Sequence, residues 1–86
     1  MKLTETTVSM LSPDYKERFI AEYCQVSIRL GKLKEMLQKW SVGRLEFEPT
    51  CPKELLELQL KAMEEYQKVL KIRALIEKIK LPKMEE

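Results

Sequence analysis

Three polar side chains that suit a phosphorylated or aromatic ligand recur at intervals of seven: Gln59, Tyr66 and Arg73. On a helix with a seven-residue repeat, such positions lie along nearly one line of the surface. The guanidinium of Arg73 can hold an anion through its planar donors, and the ring of Tyr66 or Tyr23 can stack on a flat ring. These four residues are therefore the candidate ligand-binding residues.

The same line also has a purely structural interpretation. Gln59 would fix the register of helix packing, and Tyr66 would pack with its hydroxyl at an edge. Arg73 would extend to solvent or pair with a carboxylate such as Glu17 or Glu22. The sequence leaves both interpretations open.

Several residue types that catalysis needs are missing from the chain. It has no histidine, the commonest general base and the commonest metal ligand. Neither of its two glycines, Gly31 and Gly43, lies in the Gly-Lys-Ser or Gly-Lys-Thr sequence that ends a phosphate-binding loop. Carboxylate pairs such as Glu46 and Glu48 are typical of charged side chains that are simply exposed to solvent. We therefore expect a protein that is not an enzyme and uses no metal and no cofactor.

Composition favours one small all-α domain over residues 1–86. Charged residues are 35% and apolar residues 44%, with only two glycines and four prolines. The net charge of +2 is too balanced for a duplex nucleic acid partner. The start, "MKLTETTVSMLS", has no signal-peptide core, and no later run approaches the ~18 apolar residues of a membrane span. We expect a cytoplasmic protein with no membrane partner and with Cys24 and Cys51 reduced.

The first long helix is predicted at residues 13–40. Ser12 can cap it, Pro13 fits its first position, and Gly43 can end it. Its apolar positions alternate in spacings of four and three, which is the pattern of a coiled-coil seam. These positions are Phe19, Tyr23, Val26, Leu30, Leu33, Leu37 and Trp40.

The second long helix is predicted at residues 52–80, with Thr50 or Cys51 as its cap. Its apolar face is broader than one helix partner can cover, so a second neighbour is expected. A chain of this size often gains that neighbour by oligomerisation. We therefore expect a homo-oligomer.

The link at residues 41–51 is expected to return the chain into an antiparallel two-helix hairpin, with Leu45 and Phe47 closing its end. Residues 1–11 form an arm or a short helix, and residues 82–86 a frayed tail. Pairing the two seams predicts the helix register. The expected neighbours are Leu37 with Leu56, Leu30 with Met63, Tyr23 with Leu70, Phe19 with Ala74, and Lys16 with Glu77.

A row of small or weakly polar residues also follows one side of the first helix. Ile20, Cys24, Ser27 and Gly31 are spaced four, three and four apart, away from the leucine seam. Small residues allow close approach of another helix, so this row is a candidate self-association face. The alternative is a weakly polar flank.

The stretch "LLELQLKAMEEYQKVLKIR", residues 55–73, resembles the pattern LLxxQLxAMxxYxxxLxxR of phage-encoded cyclic-nucleotide sponges, the anti-CBASS and anti-Thoeris group. The likeness extends over 15–76. The residues that make it specific are Gln59, Ala62, Met63, Tyr66, Leu70 and Arg73. The resemblance implies a homodimer or homohexamer in the host cytoplasm. Its ligand would be a cyclic di- or trinucleotide or a cyclic ADP-ribose isomer, held between subunits without cleavage.

Two other functions remain compatible with the sequence. A protein-binding inhibitor of the anti-CRISPR kind would use an exposed surface instead of a pocket. A structural helical adaptor would need neither such an inhibitory surface nor a ligand pocket.

Overall fold

The computed structural model describes residues 2–83. It contains three helices, α1 (Leu3–Met10), α2 (Tyr15–Ser41) and α3 (Lys53–Glu77), and no strand within the described range. Helices α2 and α3 pack side by side, and α1 packs on α2. The prediction of an all-α hairpin is therefore confirmed. Of the alternatives for residues 1–11, the structure shows a helix rather than an arm.

Helix α2 begins two residues later than predicted because Asp14, not Ser12, caps it. The carboxylate of Asp14 accepts a hydrogen bond from the backbone N–H of Lys16 at 2.9 Å. The hydroxyl of Ser12 accepts one from the backbone N–H of Asp14 at 3.1 Å. Ser12 thus holds the capping residue in place, and Pro13 lies before the helix rather than in it.

The loop between α2 and α3 follows the sequence signals only in part. Gly43 has φ of +70° and ends the turn after α2, as predicted. The cap of α3 is Pro52, and neither Thr50 nor Cys51 takes that position. The first helical residue is therefore Lys53.

Helix α3 ends at Glu77, three residues before its predicted end at 80. Lys78 adopts the left-handed conformation, with φ of 57° and ψ of 42°. This turns the chain so that the N–H of Ile79 donates to the carbonyl of Ala74 at 2.9 Å, and Ile79 is only 8% exposed. Burying an isoleucine contributes about 1.5 to 3 kcal/mol, which offsets the roughly 1 to 2 kcal/mol that a left-handed residue costs. The predicted frayed tail begins at residue 82, and residues 84–86 lie outside the described range.

The core lies between α2, α3 and the segment that follows α3. Two of the predicted pairs, Phe19 with Ala74 and Tyr23 with Leu70, fall in one buried cluster. A hydrogen bond between the helices fits the same antiparallel register: the side chain of Gln67 donates to the hydroxyl of Ser27 at 3.0 Å. The cluster consists of Phe19, Tyr23, Cys24, Val26, Leu70, Ala74 and Ile79.

Helix α1 covers a different side of α2. Thr6 is fully buried, and its hydroxyl accepts a hydrogen bond from the amide of Gln25 at 3.0 Å. The same hydroxyl donates to the carbonyl of Leu3 at 2.6 Å. Ala21 of α2 is also fully buried. The hydrogen bonds that satisfy the buried hydroxyl of Thr6 thus hold α1 on α2.

The prediction that Phe47 closes the end of the hairpin is wrong, since 58% of its surface is exposed. Leu45 is half-buried. The two helices are joined at this end by Lys53, whose ammonium lies 5.8 Å from the centre of the Trp40 ring. An amphipathic lysine can cover the ring while its charge stays in water, so the apolar loop residue is not needed there.

Two members of the small-residue row of α2 are buried within the single chain. Cys24 is fully buried and Ser27 is 8% exposed. Ile20 and Leu81 pack against the same core. Cys24 itself is inaccessible to another copy, whereas Gly31, the last member of the row, has open space around it. The self-association face and its alternative, a weakly polar flank, therefore both stay predictions.

Candidate functional site

Arg73 belongs to a closed network of three side chains near the end of α3. Its Nη2 donates to the hydroxyl of Tyr15 at 3.0 Å, and its Nε lies 3.4 Å from a carboxylate oxygen of Glu77. The hydroxyl of Tyr15 donates to the other oxygen of Glu77 at 2.7 Å. Each of the three groups thus holds the other two, across the α2–α3 boundary.

The carboxylate that pairs with Arg73 is not one of those predicted. Neither Glu17 nor Glu22 takes that place, because Glu77 lies one helical turn further along the same helix. The predicted register, which was expected to bring Lys16 near Glu77, agrees with the bond between Glu77 and the adjacent Tyr15. Glu77 is near the expected end of α2, where it bonds to Tyr15 and Arg73.

The network changes the acidity of its members. The hydrogen bond to Glu77, helped by partial burial, raises the pKa of Tyr15, although Arg73 acts against that shift. The hydrogen bond from Arg73 to Tyr15 raises the pKa of Arg73. The guanidinium also lies 5.0 Å from the centre of the Phe19 ring. A guanidinium has five N–H donors, so Arg73 retains donors for an anion while it holds its protein partners.

The four sequence-predicted residues do not all meet. Arg73, Tyr66 and Gln59 lie along α3 as expected, with Tyr66 41% exposed and Gln59 exposed. Tyr23 is 6% exposed and belongs to the buried core. Its ring therefore has almost no surface for a ligand, and the prediction that Tyr23 stacks on one is not supported by this placement.

Tyr66 lies at the edge of a cleft between α1 and α3, over one face of α2. Its hydroxyl donates to the carboxylate of Glu22. The cleft has a volume of about 510 Å³. We call it the Tyr66 cleft, and its lining residues are Met10, Arg18, Glu22, Gln25, Val26, Arg29 and Tyr66.

Two arginines of the Tyr66 cleft were not among the sequence-predicted site residues. Arg18 donates to the carbonyl of Ser12 at 2.8 Å, and Arg29 lies on the same face of α2. With one carboxylate, Glu22, the cleft has a net positive charge. The signal was present in the sequence: from Arg18 through Glu22 and Gln25 to Arg29 the spacings are four, three and four.

A larger cleft of about 640 Å³ lies at the loop between α2 and α3. Its charges are balanced, with Glu35 and Glu46 against Lys39 and Arg44. Lys39 and Glu35 already pair at 3.2 Å. We therefore regard the smaller, cationic cleft as the better candidate for an anionic ligand.

Residues 2–83 contain neither a cluster of metal ligands nor a membrane-spanning helix. No group of three or more histidine, cysteine, aspartate or glutamate side chains in that range could hold a metal ion. Within the same range, no helix is both long and apolar enough to span a membrane.

The fold and the cleft define a small all-helical hairpin protein with a cationic, tyrosine-lined surface. The chain belongs to the Sequestin family, whose family model matches residues 13–76. This match confirms the family resemblance inferred from the second helix, and the family name points to sequestration of a molecule. No curated protein and no solved structure is significantly similar to the chain.

The network around Arg73 predicts a pH dependence of stability. Because the pKa of Tyr15 is raised above its ordinary value of 10.0, its stabilising contribution is fully present below pH 10 and is lost as the pH rises through the folded-state value. We expect the difference in unfolding free energy between the parent chain and Tyr15→Phe to be constant from pH 7 to 9 and to shrink above pH 10. Urea unfolding at each pH measures it.

Every other ionisable group is common to both chains and cancels in the difference. A difference that stays constant or grows up to pH 11 would show that the hydroxyl of Tyr15 does not depend on Glu77 in this way.

Proposed function

We propose that this chain is a phage anti-defence protein that binds and sequesters a cyclic nucleotide signal without cleaving it. The ligand would be a cyclic di- or trinucleotide or a cyclic ADP-ribose isomer, taken up in the cytoplasm of the host cell. The observation that carries the proposal is the Tyr66 cleft, where one exposed aromatic ring and two guanidiniums, Arg18 and Arg29, line the same surface.

Each part of such a ligand has a chemical counterpart at this surface. A base can stack on the ring of Tyr66, a contact that is largely independent of base identity. Phosphates suit Arg18 and Arg29, whose planar donors match phosphate oxygens. Arg73 lies two helical turns from Tyr66, roughly 10 Å along α3, with 43% of its side chain exposed. It can therefore hold a second phosphate at the end of the same line.

The residues of the cleft favour binding over cleavage. Arginine remains protonated at physiological pH and does not serve as a general base. The carboxylate of Glu22 accepts a hydrogen bond from the hydroxyl of Tyr66. Gln25 is held by Thr6. The one carboxylate of the cleft, Glu22, is thus engaged by Tyr66, which supports a non-catalytic role.

We also propose that the chain acts as a homo-oligomer, a dimer or a hexamer, with the ligand held between copies. Arg73, Tyr66 and Gln59 lie beside apolar side chains of α3 that are exposed in the single chain, including Leu58 and Val69. An apolar surface next to a polar line is the arrangement expected where two subunits enclose a ligand.

A second candidate function rests on the same exposed surface. The apolar side chains of α3 could instead receive another protein, as in an inhibitor that acts by binding a protein target. Such an inhibitor would not require Arg18, Arg29 and Tyr66 to share a cleft, and it would not be stabilised by nucleotides.

A panel of nucleotides separates these functions. We expect at least one cyclic di- or trinucleotide or cyclic ADP-ribose isomer to raise the thermal midpoint of the full chain, because a ligand that binds only the folded state stabilises it. Linear mononucleotides of the same bases are the control. The ligand should be recovered intact after the protein is denatured.

If no member of the panel changes the midpoint, the sponge proposal is wrong and the protein-binding alternative gains support. Recovery of an opened or hydrolysed ligand would contradict sequestration without cleavage.

Arg73→Leu tests the far end of the proposed site. We expect the variant to retain its helicity while its affinity for the ligand falls about tenfold or more, as for a lost charged contact. Calorimetric titration and circular dichroism measure the two properties. Lys71→Leu is the matched control, since Lys71 is an exposed cation two residues away on another side of α3.

Unchanged affinity in Arg73→Leu would limit Arg73 to its contacts with Tyr15 and Glu77. An equal loss in Lys71→Leu would show that only net charge matters.

A further inference from the structure

A second apolar row runs along α3, on the side away from α2. Its positions alternate in spacings of three and four, as in the seam that packs on α2. We call it the outer row, and it consists of Leu55, Leu58, Ala62, Glu65, Val69, Ile72 and Ile76. The exposed fractions of its large apolar members run from 49% at Ile72 to 76% at Ile76.

We infer that the outer row pairs antiparallel with the outer row of a second copy of this chain. The inference rests on the proposed self-association and assigns it a surface and an orientation. It does not depend on which nucleotide is bound.

The spacing identifies the kind of partner. An apolar row with alternating steps of three and four over three heptads packs against another helix of the same period. From Leu55 to Ile76 it spans about 32 Å at 1.5 Å per residue, whereas the longest dimension of the molecule is 43 Å. The row can meet itself across a two-fold axis, where the same patch serves both copies. Within residues 2–83, α1 packs on α2, not on this side of α3.

The position of Glu65 favours the antiparallel orientation. Glu65 is the one charged member of the row, and two cations, Lys61 and Lys68, lie beside it on one edge. A parallel pair in register would place the two Glu65 carboxylates against each other. An antiparallel pair can place Glu65 opposite Ala62, the smallest member of the row, and beside Lys61 of the second copy.

This register also pairs the large apolar members. Leu58 then lies opposite Val69 of the second copy, and Leu55 opposite Ile72. Gln59 and Tyr66 lie on the edge of the outer row opposite the lysines. Because the same edges of two antiparallel copies face each other, Gln59 of the second copy comes close to Tyr66. The ligand-binding line is therefore completed by the partner copy.

Sedimentation of the full chain without ligand tests the surface. We expect the parent chain to sediment as a dimer or larger species and Val69→Lys to sediment as a smaller species with unchanged helicity. Val69 is 50% exposed in the single chain, so a lysine there does not disturb the fold. Val8→Lys, at a 76% exposed apolar position on α1, is the matched control and should keep the parent's mass.

The native cysteines test the orientation. Cys51 is exposed just before α3, whereas Cys24 is buried, so a thiol-reactive spin label attaches to one defined site. The antiparallel register separates the two Cys51 positions by about 37 Å along the helix axis. A parallel pair would bring them within roughly 10 Å.

A long distance together with a smaller Val69→Lys species supports the inference. It is overturned by a monomeric parent chain, by an unchanged assembly in Val69→Lys, or by a short distance between labels. Because these measurements need no ligand, their failure is distinguishable from failure of the nucleotide panel.

Discussion

The antiparallel contact between α2 and α3 determines where every other group of this protein lies. Leu70 is fully buried between residues of α2 that include Phe19 and Tyr23. A core leucine of this kind contributes about 2 to 5 kcal/mol, a large share of the stability of a small domain. Once Leu70 and Ala74 face α2, the rotation of α3 is fixed.

That rotation explains why Arg73 lies in a boundary position. It directly precedes the buried Ala74 and follows the buried Leu70 by three residues. Its side chain therefore leaves α3 at the edge of the seam, where it contacts Tyr15 and the ring of Phe19. The structural and the ligand-binding interpretations of Arg73 are compatible, because its protein contacts orient the guanidinium without using all of its donors.

The hairpin and its register were predictable because spacings of three and four report directly on helix packing. The burial of Tyr23 could also have been foreseen, since Tyr23 is itself a member of the predicted seam. The turn at Lys78 could not, because a left-handed lysine has no local sequence signal and depends on burial of Ile79. The packing of Thr6 on Gln25 is likewise a tertiary contact.

The central claim, that Tyr66 offers its ring to a base, is tested most directly by calorimetric titration of Tyr66→Phe and Tyr66→Ala with the tightest-binding cyclic nucleotide. We expect Tyr66→Phe, which keeps the ring and loses the bond to Glu22, to bind within about threefold of the parent chain. Tyr66→Ala should lose about fivefold or more, because stacking on an aromatic ring is worth about 1 to 3 kcal/mol per base. Parent-like affinity in Tyr66→Ala, or equal losses in both variants, would contradict the claim.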